Sequence, residues 1–462
     1  MKRSNIQCYG SVCCSDTTIT KKKGDTMAPQ CPIFIICLML IPSNMGLRII
    51  NYNSKNNFNI QGRVIERIAS VDCPREESTN LNNLGVKEFD ECFINSVFIK
   101  NVNLATNQLK KIPIKLFDCV QNLECVNVAF NRIPDEELFK FSHQNLKTLI
   151  LGYQDNQNNT MPFGSLSSQM QTGYFPNLED LHLDGLGLLI YNLKYRNMFP
   201  QLKTLYITDN NITIVNTDFL WNLPSTLTNL HLERNRLKTV NLLAVKSLES
   251  LYLDNNPYLK TLRFGDITTL SLRRCFLSSS LVNDFINDVH QSLKVLDLSE
   301  NYLKEVPENL FVNAKRLDIL SLSNNLITTV PDIKGLSFLT KLSLSHNSVN
   351  RVENLISSSL EVLNLNHNEI SLIIEATFSG LPSLKVLDLS ENQLESLPFE
   401  WAYGLHKLES LNLDSNKFAT FADISVASVT DLRHLYVGRN CFDEIRETEL
   451  QQVPEDCTIY VL

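Results

Sequence analysis

The nonapeptide LKVLDLSEN occurs at Leu293–Asn301 and again, letter for letter, at Leu384–Asn392. A local helix or strand signal has no need to recur unchanged, whereas a fixed spacing that recurs marks a repeat architecture. Weaker copies of L-x-x-L-x-L-x-x-N begin at Ile99, Leu123, Leu146, Leu178, Leu202, Leu227, Leu248, Ile267, Leu317, Leu339, Leu360, Leu408 and Leu432. With the twin nonapeptides they make fifteen copies, most often 24 residues apart. The central L-x-L alternates with period two, which suits a short strand whose leucines face a core and whose intervening residue faces outward. One copy cannot bury its own leucine face, but stacked neighbours share a continuous core, so the chain is read as a solenoid.

The asparagine that closes each copy has a physical task as well. Its amide offers two donors and an acceptor to backbone groups left unpaired where the chain turns beside the core. This ladder runs through Asn107, Asn131, Asn210, Asn235, Asn256, Asn301, Asn325, Asn347, Asn368, Asn392, Asn416 and Asn440. It breaks at Gln154, Leu186 and Cys275, where irregular turns are expected.

Several copies continue as in NYLKEVPENLFVNAKRL, Asn301–Leu317, with Leu303, Val306, Pro307, Phe311 and Leu317 recurring in place. In this the chain resembles the leucine-rich repeat proteins, specifically their typical extracellular class, over about three quarters of its length. The resemblance implies an α/β solenoid, a leucine-rich repeat horseshoe with a parallel concave β-sheet, about fifteen repeats and disulfide-capped ends. By this pattern it is similar to the ectodomains of Toll-like receptors and to soluble arthropod leucine-rich immune proteins.

A solenoid grows in one dimension, so 462 residues fit a single domain. Lys and Arg number 42 against 50 Asp and Glu, a formal charge of −8, which argues against nucleic acid or anionic lipid as partners. Ahead of the repeats, Lys21–Lys23 precede the apolar run CPIFIICLMLI, Cys31–Ile41. That run has the length of a signal-peptide core and is too short to span a bilayer. Export is expected, with cleavage within Ser43–Gly46 and either Met1 or Met27 as initiator. The expected organisation is a leader over 1–46, a loose polar lead-in over 47–72, an N-terminal cap over 73–96, the solenoid over 97–440 and a C-terminal cap over 441–462.

Seven cysteines follow the leader: Cys73, Cys92, Cys119, Cys125, Cys275, Cys441 and Cys457. Raw solenoid ends would expose leucines, and the resemblance implies caps closed by Cys73–Cys92 and Cys441–Cys457, with a further Cys119–Cys125 pair open and Cys275 a buried thiol. The polar stretch Tyr153–Phe175 is expected to loop out and carries the glycan acceptor Asn158, and a second acceptor sequence starts at Asn211. Helical spacing within Leu277–Leu293 predicts a helix on the convex flank.

No nucleophile elbow, zinc-protease helix, phosphate loop or paired-cysteine knuckle occurs, so neither enzyme chemistry nor a cofactor or metal is expected, and function is sought on a surface. The outward residue of each L-x-L forms a column across parallel strands. From the fourth copy it reads His182, Tyr206, His231, Tyr252, Ser271, Asp297, Ser321, Ser343, Asn364, Asp388, Asn412 and Tyr436. Adjoining columns add Glu233, Arg234, Asp254 and Arg273, with Asp180, Asp184, Asp209 and Arg274 beside them. Tyrosine and arginine anchor interfaces. The candidate ligand patch is therefore His182, Tyr206, His231, Glu233, Arg234, Tyr252, Asp254 and Arg273, and the later Ser, Asp and Asn are read as solvated defaults. The expectation is a secreted protein that binds a protein or glycan ligand, by resemblance in innate immune recognition, with adhesion or matrix support and enzyme inhibition as alternatives. Its histidines would make binding change between roughly pH 7 and 5. Oligomeric state is left open.

Overall fold

The computed structural model describes residues 48–51, 72–155, 173–187, 195–215, 221–286 and 291–461, apart from 90, 91, 93, 95, 308, 309, 354, 443 and 444. The leader with its cleavage site, most of the lead-in and Asn158 lie outside the described residues. Each of the fifteen copies folds into a three-residue strand two positions after its first apolar residue, from Asn101–Asn103 to His434–Tyr436. Strands Ser78–Asn80, Thr458–Val461 and Arg48–Asn51 complete an 18-stranded parallel sheet. Arg48–Asn51 pairs with Thr458–Val461, so the lead-in begins as an edge strand rather than as loose chain.

Register is the same at every step. Leu181, Leu205, Leu230, Leu251, Leu270 and Leu296 face one another in turn, and all six are fully buried. The 32-residue step that carries the insertion leaves the column intact, because Thr148 still faces Asp180. Extra residues are thus accommodated away from the strands. A second, three-stranded parallel ladder, Ile214–Val215, Thr239–Asn241 and Thr261–Arg263, runs alongside three of these turns. The predicted flank helix is present as Ser279–Ile286, with Val282 and Phe285 buried.

The asparagine ladder works as its chemistry requires. Asn301 Nδ2 donates to the carbonyls of Leu272 and Leu298 at 2.9 Å, and its Oδ1 accepts from the amides of Cys275 and Leu277 at 3.0 Å. Gln154 is not an interruption: its Nε2 donates to Val128 and Leu151, and its Oε1 accepts from Ile133 at 3.0 Å. One additional methylene still reaches the same groups. Cys275 substitutes only in part, its thiol donating to the Leu253 carbonyl at 3.2 Å, and Leu186 is simply buried.

Just before each ladder residue the backbone turns through left-handed geometry. Thr106, Phe130, Tyr153, Asp209, Arg234, Asn255, Arg274, Glu300, Asn324, His346, His367, Glu391, Ser415 and Arg439 all have φ between 52° and 58°, and Gly185 has 62°. The corner is set by hydrogen bonding across turns, since only one of fifteen positions uses glycine to relieve it.

The caps correct the expected cysteine pairing. Cys73 bonds Cys125 and Cys92 bonds Cys119, so neither Cys73–Cys92 nor Cys119–Cys125 forms. The reason is that the N-terminal cap folds back over the sheet: Asp72 accepts hydrogen bonds from Asn103 and Asn127 on two successive strands, which seats Cys73 against Cys125 of the second. At the other end Cys457 is a fully buried free thiol, and Cys441 is disulfide-bonded to a different residue, so Cys441–Cys457 does not form. Cys275 is a buried free thiol as expected. Among the described residues no helix is long and apolar enough to cross a membrane.

Candidate binding groove on the concave sheet

The outward column places His182, Tyr206, His231 and Tyr252 on four adjacent strands, where strand spacing of ~4.8 Å suits face-to-face contact. The rings stack in sequence, with centroids 3.9, 4.2 and 4.2 Å apart and planes within 20° of parallel. Each such pair contributes roughly 0.5–1.5 kcal/mol beyond burial. His182 is only 2 % exposed and His231 6 %. Their faces are spent on one another, so what the column offers a ligand is ring edges.

Carboxylates two residues on orient the imidazoles. Asp184 Oδ2 lies 3.5 Å from His182 Nδ1, and Glu233 Oε1 lies 3.0 Å from His231 Nδ1. Asp184 and Asp254 also reach forward one turn, accepting from the amides of Thr208 at 2.9 Å and Arg273 at 3.0 Å. Asp254 additionally accepts from Ser271 Oγ. Burial, with Asp297 and Glu233 nearby, outweighs these donors and holds the Asp254 carboxyl up at about 6. Burial likewise raises the Tyr206 and Tyr252 hydroxyls above their ordinary range, leaving both as neutral donors at physiological pH.

Along one wall runs a second chain of contacts at the corner position. Phe130 stacks on Tyr153 with centroids 4.8 Å apart. Tyr153 leans across Gly185, where a Cβ would collide with its ring, and donates to Asp209. Arg234 donates to Asp209 from the far side at 2.6 Å and to Thr208 at 3.2 Å. Burial opposes ionisation of Asp209, but these two donors win and its carboxyl lies below the ordinary range. Burial and that same bond push the Tyr153 hydroxyl up to about 12.

All eight patch residues line one groove of about 710 Å³, which extends from Asp72 to Asp297. The structure also shows members that strand reading misses: Asp72, Phe130 and Tyr153. The last two occupy the corner column, as Asp209, Arg234 and Arg274 do, but in the second and third turns, where the outward column carries Asn127 and Ile150 rather than rings. Arg273 and Arg274 are not free anchors, because both are bound by Glu300. Asn211 is half-buried at the turn after Asn210. Further along, the presumed solvated defaults prove to be buried and bonded. Asp297 and Asp388 accept from the amides of Ser299 and Ser390 at 2.9 and 3.0 Å, and Asn364 and Asn412 do the same for Asn366 and Asp414.

The family model for the leucine rich repeat matches residues 291–349 and 358–418. Podocan of Mus musculus is 25 % identical over 354 residues, which cover 67 % of this chain and 55 % of podocan. Lumican of Coturnix japonica is 31 % identical over 219 residues, covering 45 % of this chain and 62 % of lumican. The chain thus spans less than two thirds of the length of these relatives. A leucine-rich repeat protein of Leptospira interrogans superposes with a TM-score of 0.51 at 24 % identity, covering 79 % of this chain and 96 % of that one. That likeness speaks for the scaffold and leaves the ligand open.

Proposed function

Because the chain is a leucine-rich repeat protein, a class in which the repeat supplies a scaffold, we propose that it is an exported, non-enzymatic recognition protein. Its concave groove between about residues 180 and 274 holds a macromolecular partner. The observation that carries this reading is the stacked column His182–Tyr206–His231–Tyr252, whose ring edges and flanking carboxylates line one groove. Two disulfides among the described residues fit an oxidising compartment and so support export. An innate immune setting is the narrower part of the proposal and rests on the resemblance of the repeat to Toll-like receptor ectodomains. Glycan on Asn158 and Asn211 belongs to the same proposal, and a mass shift removed by an amidase at each site tests it.

The test of the groove is affinity capture with the secreted protein from its native fluid, followed by titration of the captured partner. Tyr206→Ala/Tyr252→Ala should weaken affinity by at least ~2 kcal/mol. Unchanged affinity in a variant whose circular dichroism is intact sinks the groove reading.

A further inference from the structure

The groove has a charge balance and two unmet polar atoms that narrow what it can hold; this inference rests on the groove being the binding surface. Its arginines face carboxylates, Arg234 that of Asp209 and both Arg273 and Arg274 the single one of Glu300, which leaves one positive charge there against three further carboxylates. Asp184 and Glu233 are set instead against imidazoles, and Asp254 lies beside them with backbone and hydroxyl donors. The middle of the groove therefore carries more negative charge than its own cations balance.

Two atoms there have no hydrogen-bond partner although both are shielded from water: Glu233 Oε2 and His182 Nε2. His182 is only 2 % exposed, so a ring nitrogen without a partner there is costly. In the tautomer that turns its N–H toward Asp184 Oδ2, 3.5 Å from Nδ1, the ring leaves Nε2 as an acceptor. Glu233 Oε2 is an acceptor as well. Both unmet atoms thus ask for N–H or O–H donors, and the surrounding carboxylates favour donors that carry positive charge. An ion pair gains more in a half-buried groove than in open water, because the lower effective dielectric screens it less.

We propose that the groove receives a basic polypeptide segment, whose ammonium or guanidinium groups donate to Glu233 and His182. Neutral glycan hydroxyls would satisfy the same acceptors but leave the carboxylates unbalanced. A segment lying across the strands would meet His182 and Glu233 two strands apart, roughly 10 Å, within reach of two basic side chains on one extended stretch.

Three fluorescent or labelled probes test this against the full secreted chain: an Arg-Gly repeat dodecapeptide, a Glu-Gly repeat of equal length, and a neutral chitohexaose. The basic peptide should bind at least tenfold more tightly than the acidic one and weaken steeply from about 50 to 500 mM salt. It should also slow amide exchange in strands 204–206, 229–231 and 250–252. Glu233→Gln should lower its affinity five- to tenfold, whereas Glu375→Gln/Glu395→Gln, on exposed turns elsewhere, should not. Equal binding of the basic and acidic peptides, or full affinity in Glu233→Gln, overturns the assignment. If chitohexaose or the acidic peptide protects those strands and the basic peptide does not, the cation assignment falls while the groove stands. If the captured partner is indifferent to Tyr206→Ala/Tyr252→Ala, the groove reading falls and takes this assignment with it.

Discussion

Two stretches of one sheet, built on the same motif and in the same register, differ in how their outward residues satisfy themselves. In the turns that match the family model, the outward Asp or Asn bends back and closes on the amide two residues later, as at Asp297, Asn364, Asp388 and Asn412. In the four turns from His182 to Tyr252 the same position holds rings that stack on one another, and Asp184 or Asp254 serves the amide of a following turn, whereas the first two turns close at Asn103 and Asn127 as the later ones do. The first arrangement is self-contained. The second leaves Glu233 and His182 with unmet atoms. Identical scaffolding therefore does not make equivalent surfaces: Asn366 Oδ1 in the later turns is also without a partner, but the unmet atoms of Glu233 and His182 belong to residues that line the groove.

The comparison asserts that the core is common and only the face differs. Leu232→Ala in the ring stretch and Leu389→Ala in the other, both fully buried, should each lose ~2–5 kcal/mol through lost burial and a cavity. Chemical denaturation checks this, and a systematic gap between the stretches would show that the cores differ too. Next come the ladder residues: Asn235→Ala and Asn392→Ala each strip donors from two buried carbonyls and should each cost about 1–3 kcal/mol.

Asp388 sharpens the contrast through pH. Burial holds its carboxyl at about 7, well above the ordinary carboxylate range, despite the Ser390 bonds. Between roughly pH 4 and 7 the folded chain binds a proton that the unfolded chain has released, so this residue makes stability fall as pH rises through that window and level off above it. Asp388→Asn keeps the amide-accepting oxygen, as Asn364 and Asn412 already do. It should gain about 1–3 kcal/mol at pH 8 and almost nothing at pH 4, read from denaturation midpoints at several pH values. A gain that is equal at both pH values would show that the carboxyl is ionised throughout. Smallest of all, Ser321→Ala should change partner affinity and stability by less than ~0.5 kcal/mol, since the column has no ring there.

The strands and their register are legible in the sequence because alternating leucine is a strong, repeated signal that no long-range contact overrides. All fifteen copies yield a strand. The disulfides are not legible, since proximity in sequence pairs Cys73 with Cys92, while the fold-back of the cap pairs it with Cys125. The role of Asp388 is hidden for a related reason: alternation says that it points outward, and only the neighbouring turns reveal that outward is still buried. The ring column is legible as a list of residues. Its carboxylate partners and the reach of Tyr153 across Gly185 to Asp209 depend on three turns at once.

The left-handed corner has a further consequence. Because hydrogen bonds between turns impose it, its occupant is free to be Thr, Phe, Tyr, Asp, Arg, His, Glu or Ser at a similar backbone strain. One position per turn is thereby released from any duty to the core and displayed in a row at the rim of the sheet. For a lineage exploring new ligands, that row is a set of adjustable letters, rewritten together where neighbours touch, as Phe130, Tyr153, Asp209 and Arg234 do, and singly where they do not.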